Sequence, residues 1–161
     1  MEYTFTLKYQ LSANAKDTDL LIEQLAEAGC EDALIGSGRP GRLALEFTRE
    51  AASAKAAVQS AMNDIQKAIP DARLVEATPD FVGLTDIAEI LGISRQAVRK
   101  LMLSHQHSFP LPVHEGSIAI WHLDEVLDWF EQRGSYSSQA PLKETAHTVR
   151  ALNAARPQFA A

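Results

Sequence analysis

Cysteine occurs once in the 161 residues, at Cys30. A lone cysteine excludes a disulfide framework and a thiolate metal cage. No apolar run approaches the roughly 20 residues that a membrane helix needs, and Met1-Glu-Tyr-Thr has neither the basic nor the apolar region of a signal peptide. A cytoplasmic location is therefore expected. Basic charge is scarce: 15 Lys and Arg stand against 21 Asp and Glu, for a net charge of −6. No basic half is hidden behind that total. Residues 1–79 carry twelve acids and eight bases, residues 80–134 eight acids and four bases, and residues 135–161 one acid and three bases. Nucleic-acid-binding domains are usually basic, so any such interface here has to be local and salt-sensitive. No pairing of nucleophile with base is evident, so no enzyme activity and no cofactor is expected. The length allows one domain or two small ones, and the apolar fraction of 46% suits a chain that buries a core.

The stretch with the strongest organisation runs from Leu84 to Arg133. Leu84–Met102 reads as two short helices joined by a tight turn. Thr85 is the expected N-cap, with Asp86 in the first turn. Ile87, Ala88 and Leu91 share one face. Gly92 stands where a left-handed stop is wanted, and Ile93 is expected to plug the angle between the helices. Ser94 caps the second helix, which buries Ala97, Val98 and Leu101 and turns Arg95, Gln96, Arg99 and Lys100 outward as one patch. Phe109-Pro-Leu-Pro-Val113 and Ile118-Ala-Ile-Trp121 flank His114-Glu-Gly-Ser117 as a hairpin. Leu123, Val126, Leu127 and Phe130 then recur with helical period, ended by Gly134. Helix, turn, helix, hairpin, helix is the order of a winged helix-turn-helix.

At Thr85–Ser94, Phe109-Pro-x-Pro-Val113 and Trp121-x-x-x-Glu-Val-x-x-Trp-x-Glu131 the chain resembles the excisionase and MerR-type DNA-binding superfamily, especially its AlpA-like prophage regulators. The resemblance covers about a third of the chain. It implies a helix presented to the major groove of double-stranded DNA, where Arg can read guanine and Gln adenine.

The first 79 residues read differently. Tyr3, Phe5, Leu7, Tyr9 and Leu11 alternate with polar residues as a strand with one buried face. Ser12–Lys16 is a polar loop. Asp17–Ala28 is an amphipathic helix with Leu20, Leu21, Leu25 and Ala28 on one stripe. Ala33–Ile35, Leu43–Phe47 and Arg73–Ala77 are strands, and Ala51–Ile69 is an Ala-rich helix with Ala54, Ala57, Val58, Ala61, Met62, Ile65 and Ile69 inside. Strand, helix, strand, strand, helix, strand is the ferredoxin-like order. The expected fold class is α+β: a ferredoxin-like βαββαβ domain (1–79), a linker at Thr78-Pro-Asp80, a winged helix-turn-helix domain (80–134) and a tail (135–161). In the tail, Ser135–Pro141 reads as a polar spacer and Glu144–Ala155 as a short helix ended by Pro157. Too short to fold alone, it docks on a partner or stays mobile.

Three features have sharper readings that the residues do not favour. Gly36-Ser-Gly-Arg-Pro-Gly41 matches a dinucleotide fingerprint, but a strand rather than a helix follows it, so a hairpin loop is expected. His105, His107, His114 and His122 lack the spacing of a structural metal site, and no metal is expected. Asp124, Glu125, Asp128 and Glu131 form an acidic helix face whose expected role is solvation, while Trp121, Trp129 and Phe130 belong to a core.

The function expected is therefore a transcriptional regulator, a repressor or antitoxin-like autoregulator, acting as a homodimer on DNA. Arg95 and Gln96 would meet base edges. Arg99 and Lys100 would hold phosphates or reach a second base. Ser94 and Thr85 lie at the helix starts near the backbone, and His114 and Ser117 on the wing would touch flanking phosphate. The alternatives are an excisionase-like protein that bends DNA and an adaptor that binds protein. A toxin or recombination protein is the expected kind of protein partner, through the first domain or the tail.

Overall fold

Alternation of apolar and polar side chains makes the first strand, and pairing on both its edges makes it central. The computed structural model describes residues 1–14, 17–134 and 140–156, with the side chain of Ala140 excepted. β1 (Glu2–Gln10) buries Tyr3, Phe5, Leu7 and Tyr9. It pairs antiparallel with β3 (Arg42–Glu50) on one side and with β4 (Arg73–Thr78) on the other. β2 (Ala33–Gly36) adds to the far edge of β3, for a sheet order β2-β3-β1-β4. The β1/β3 register sets Phe5 opposite Phe47, and their rings stack at 5.4 Å. Such cross-strand aromatic pairs are the unit in which a sheet is stabilised.

One face of this sheet is covered by α1 (Thr18–Ala28) and α2 (Ala54–Ala68). Ala54, Ala57 and Ala61 are fully buried and let α2 lie close. The Ser53 hydroxyl accepts from the Ala56 amide at 3.0 Å, so α2 starts at Ala54 and not at Ala51 as expected. Leu20 is half exposed, contrary to expectation, because Leu21 and Leu25 define the inward stripe and Leu20 lies a hundred degrees off it. Leu11 falls just beyond β1, its amide bonded to the Gly41 carbonyl. Arg49 ties the layers together: its guanidinium reaches Asp32 (2.8 Å), Asp64 (2.9 Å), the Gly29 carbonyl (2.9 Å) and Ser60 (3.1 Å). The opposite sheet face is polar, with Thr4, Lys8, Glu46 and Thr48 exposed.

The second half is built on β5 (Phe81–Val82), α3 (Leu84–Leu91), α4 (Arg95–Ser104), β6 (His114–Glu115), β7 (Ala119–His122) and α5 (Leu123–Gln132), with sheet order β5-β7-β6. α3 is capped by Gly83, whose amide is bonded to Asp86 at 3.0 Å, so Thr85 is not the cap. The carboxylate three residues on does that work. Gly92 closes α3 in the left-handed region (φ +70°). Ile93 does not plug the interhelical angle but is 38% exposed; Ile87, Ala88 and Val98 fill it instead. Phe109, Trp121, Trp129 and Phe130 make an aromatic core, with Phe109 edge-on to all three others. Both indole N–H groups find acceptors, Trp121 on the Pro110 carbonyl and Trp129 on Ser108.

The tail departs most from expectation. α6 (Ala140–Ala155) is a 16-residue helix lying against β1, β4 and α2 of the first half and α5 of the second. Pro141 sits in its first turn, where proline is tolerated, so the apparent spacer residue opens the helix. Val149 is buried in the first core and Ala146 in the second. The acidic face of α5 is correspondingly paired as well as wetted, with Asp128 and Glu125 keeping 49% and 40% of their side-chain surface exposed. Lys143 bridges Asp128 (2.6 Å) and Glu131 (2.7 Å), and Arg150 meets Asp124 (2.9 Å) and Glu125 (3.5 Å). Asn153 donates to the Ala77 carbonyl and accepts from the Ala77 amide, satisfying the outer edge of β4. Thr78–Asp80, expected as a linker, is a packed joint. Asp80 is 1% exposed, with its carboxylate on His122 (2.6 Å) and Asn153 (3.0 Å) and its carbonyl on the Leu123 amide. The expected loop residues 15–16, the spacer residues 135–139 and the stop at Pro157 lie outside the described residues.

Candidate nucleic-acid interface

α4 is presented by local chemistry. The Ser94 hydroxyl accepts from the Ala97 amide at 3.0 Å and starts the helix, while Val98, fully buried, anchors its inner side. Arg95, Gln96, Arg99 and Lys100 are all exposed. Arg95, Arg99 and Lys100 form no ion pair with any described residue, whereas Lys8, Arg49, Lys143 and Arg150 are each held by carboxylates. In a chain of net charge −6 these three cations stand on one short helix, with Asp86 and Glu115 the acids across the hairpin groove from it.

Two hollows border them. Arg95 and Arg99, four residues apart, line a groove of about 590 Å³ between α4 and the hairpin, opposite Gly116, Ser117 and Ile118. Gln96, Arg99 and Lys100 line a shallower depression with Leu103 and Ser104. Arg99 belongs to both, because successive i, i+4 pairs lie on neighbouring stripes of a helix. Of the other candidates, Thr85 and Ser117 line the groove, and Ser94 is spent on its cap. His114 is exposed but does not line the groove, its imidazole lying back beside Gly116.

The groove also holds Asp86 and Glu115, which the sequence reading did not consider there. Two acids facing two arginines reduce the field, though Asp86 is committed to the Gly83 amide. Ile118, 65% exposed at the hairpin turn, is a further residue that was missed. Its exposure follows from the hairpin being shorter than expected: β6 is only His114–Glu115, and Gly116, Ser117 and Ile118 form the turn.

The remaining motifs resolve into structure. Gly36 ends β2, Gly41 takes φ +78°, and β3 opens at Arg42, so the glycine-rich stretch is a hairpin loop. Histidines find separate partners: His105 lies against Trp129 and Arg133, His122 on Asp80, His147 on Asp124. Among the described residues no three His, Cys, Asp or Glu side chains gather as a metal site, and no helix is long and apolar enough to cross a membrane. No family model, curated protein or solved structure matches this chain.

Proposed function

We propose that the chain is a DNA-binding transcriptional regulator, a repressor or an antitoxin-like autoregulator, reading the major groove with α4. The observation that carries this reading is the trio Arg95, Arg99 and Lys100, exposed on one short helix and unpaired within the described residues of an acidic protein. The order α3, turn, α4, hairpin, α5 supports a winged helix-turn-helix, and the order β2-β3-β1-β4 with two helices on one face supports a ferredoxin-like first half. Arg95 and Gln96, at the start of α4, reach base edges. Arg99 and Lys100 hold phosphates, and Ser117 on the hairpin touches the flanking backbone. So few cations give one copy weak affinity, so the active form is a homodimer on a two-part site, cytoplasmic and without a cofactor.

A gel shift against the DNA upstream of its own coding sequence tests this. Wild type retards a preferred fragment, with log K falling by about 0.9 per log unit of salt for each phosphate neutralised. Arg95→Ala with Arg99→Ala abolishes the shift without changing the circular dichroism. A double variant that binds as well as wild type sinks the reading.

A second reading has its own observation. Ile118 projects from the hairpin turn, and apolar wedges at such tips unstack base steps and kink DNA. An excisionase-like architectural role predicts that bound DNA is bent and that Ile118→Ser removes the bend while retaining the shift.

A further inference from the structure

Where the two halves meet α6 there is a cleft of about 680 Å³. Its floor is the buried Asp80 carboxylate, with both oxygens hydrogen-bonded, Oδ1 with His122 and Oδ2 with Asn153. One wall is apolar. Phe81 lies tilted against the His122 imidazole, ring centroids 5.1 Å apart, and remains 44% exposed, and Val113 in the same lining is 51% exposed. The rest of the lining is cationic, with Lys8, Arg42, Arg150 and Arg156. Two of the four are already paired, Lys8 with Glu76 and Arg150 with Asp124 and Glu125, and Asp80 is the other acid of the lining. Arg42 is held by the neutral Gln10 side chain and Arg156 by the Val75 carbonyl, so neither charge is cancelled by its partner.

This is the composition of a small-molecule site: concave, partly apolar, with a few convergent polar groups. Among the described residues no carboxylate pairs with Arg42 or Arg156, which leaves both charges free to meet an anion. We propose that the cleft binds a small organic anion, its planar apolar body on Phe81 and Val113 and its carboxylate or phosphate between Arg42 and Arg156. Such a ligand touches both halves and α6 at once, so it stabilises their mutual arrangement. The site does not rest on the DNA reading; either can fail without the other.

The test uses the full chain with benzoate, phenyl phosphate, inorganic phosphate and benzyl alcohol as probes, followed by amide NMR and thermal unfolding. An aromatic anion is expected to bind saturably in the millimolar range or tighter. It should move the resonances of Arg42, Phe81, His122 and Asn153, and at about five times its Kd raise Tm by about 2–4 °C. Whichever of benzoate and phenyl phosphate binds tighter decides between carboxylate and phosphate. Inorganic phosphate and benzyl alcohol should each bind at least about tenfold more weakly, since each lacks one of the two contacts. Arg42→Gln with Arg156→Gln should weaken the aromatic anion by about tenfold or more at unchanged unliganded fold. The proposal is overturned if neither aromatic anion moves those resonances. It is equally overturned if the double variant binds undiminished, or if either control probe binds as tightly as the aromatic anions.

Discussion

Arg150 of α6 and Asp124 in the first turn of α5 meet at 2.9 Å, and Asp124 is only 7% exposed. The contact locks the third segment of the chain onto the second half, while Val149, one residue earlier, is buried in the first. α6 is the element through which the two cores are joined. Arg150→Ala leaves Asp124 with His147 alone and should cost about 1–2 kcal/mol, reduced from the buried-pair range because the arginine is partly in water. Urea unfolding measures this, and an unchanged midpoint would refute the locking role.

Arg95 and Lys100 should separate in their effects on DNA. Arg95→Ala is expected to relax base preference at one position, losing about 1–3 kcal/mol there. Lys100→Ala should weaken all sequences alike and lower the salt slope by about 1. Binding to a randomised-site pool at several salt concentrations distinguishes the two; identical behaviour would contradict the assigned roles.

Cys30 is 2% exposed, and its thiol is pushed up to about 11 by burial and then by the charge of Asp64. At pH 8 the thiol is neutral and shielded, so a thiol-specific reagent should leave the folded chain unmodified and react only after urea is added. Rapid reaction of the native protein would show that this end of α1 opens readily.

Asp32 is held below its ordinary value of 3.8, first by the hydrogen bonds from Arg49. The unfolded chain therefore takes up this proton before the folded one does. The stability contributed is complete above about pH 4 and is lost as pH falls through the lower, folded value. Asp32→Asn should accordingly be less stable than wild type at pH 6, and the two urea midpoints should converge on acidification. A gap that widens below pH 4 would reverse the assignment.

Gly92→Ala tests the turn between α3 and α4. Nothing lies within 4 Å of where the new Cβ would stand, so the penalty comes from φ +70° and not from a clash. A loss of about 1 kcal/mol is expected, with Gly92→Asn milder, since asparagine tolerates the left-handed region better. Equal stability of all three forms would mean the turn carries no strain.

Much of the architecture was readable from periodicity. The buried positions of β1 and of α5, the inner face of α2, the stop at Gly92 and the cap at Ser94 all follow from local patterns of apolar, small and hydroxyl side chains. The errors at Thr85, Leu20 and Ile93 are local: the cap fell two residues earlier at Gly83, Leu21 took the inward place beside Leu20, and Ile87, Ala88 and Val98 filled the angle in place of Ile93. The candidate site was half legible: α4's exposed residues were named, but the presence of Asp86 and Glu115 across the groove depends on how separate segments meet.

The sequence by itself determined which residues must be inside, because burial has a period that each strand and helix imposes locally. Tertiary structure decided what the charged surfaces face. Asp124, Asp128 and Glu131 look like a solvated stripe until Lys143 and Arg150 arrive from a helix that begins eight residues after α5 ends. The same holds for Asp80, a residue of an apparent linker that becomes the buried centre of a joint. Apolar burial acts through spacing along one element, whereas a charge finds its partner only once the chain has folded back, and that pairing leaves no periodic trace.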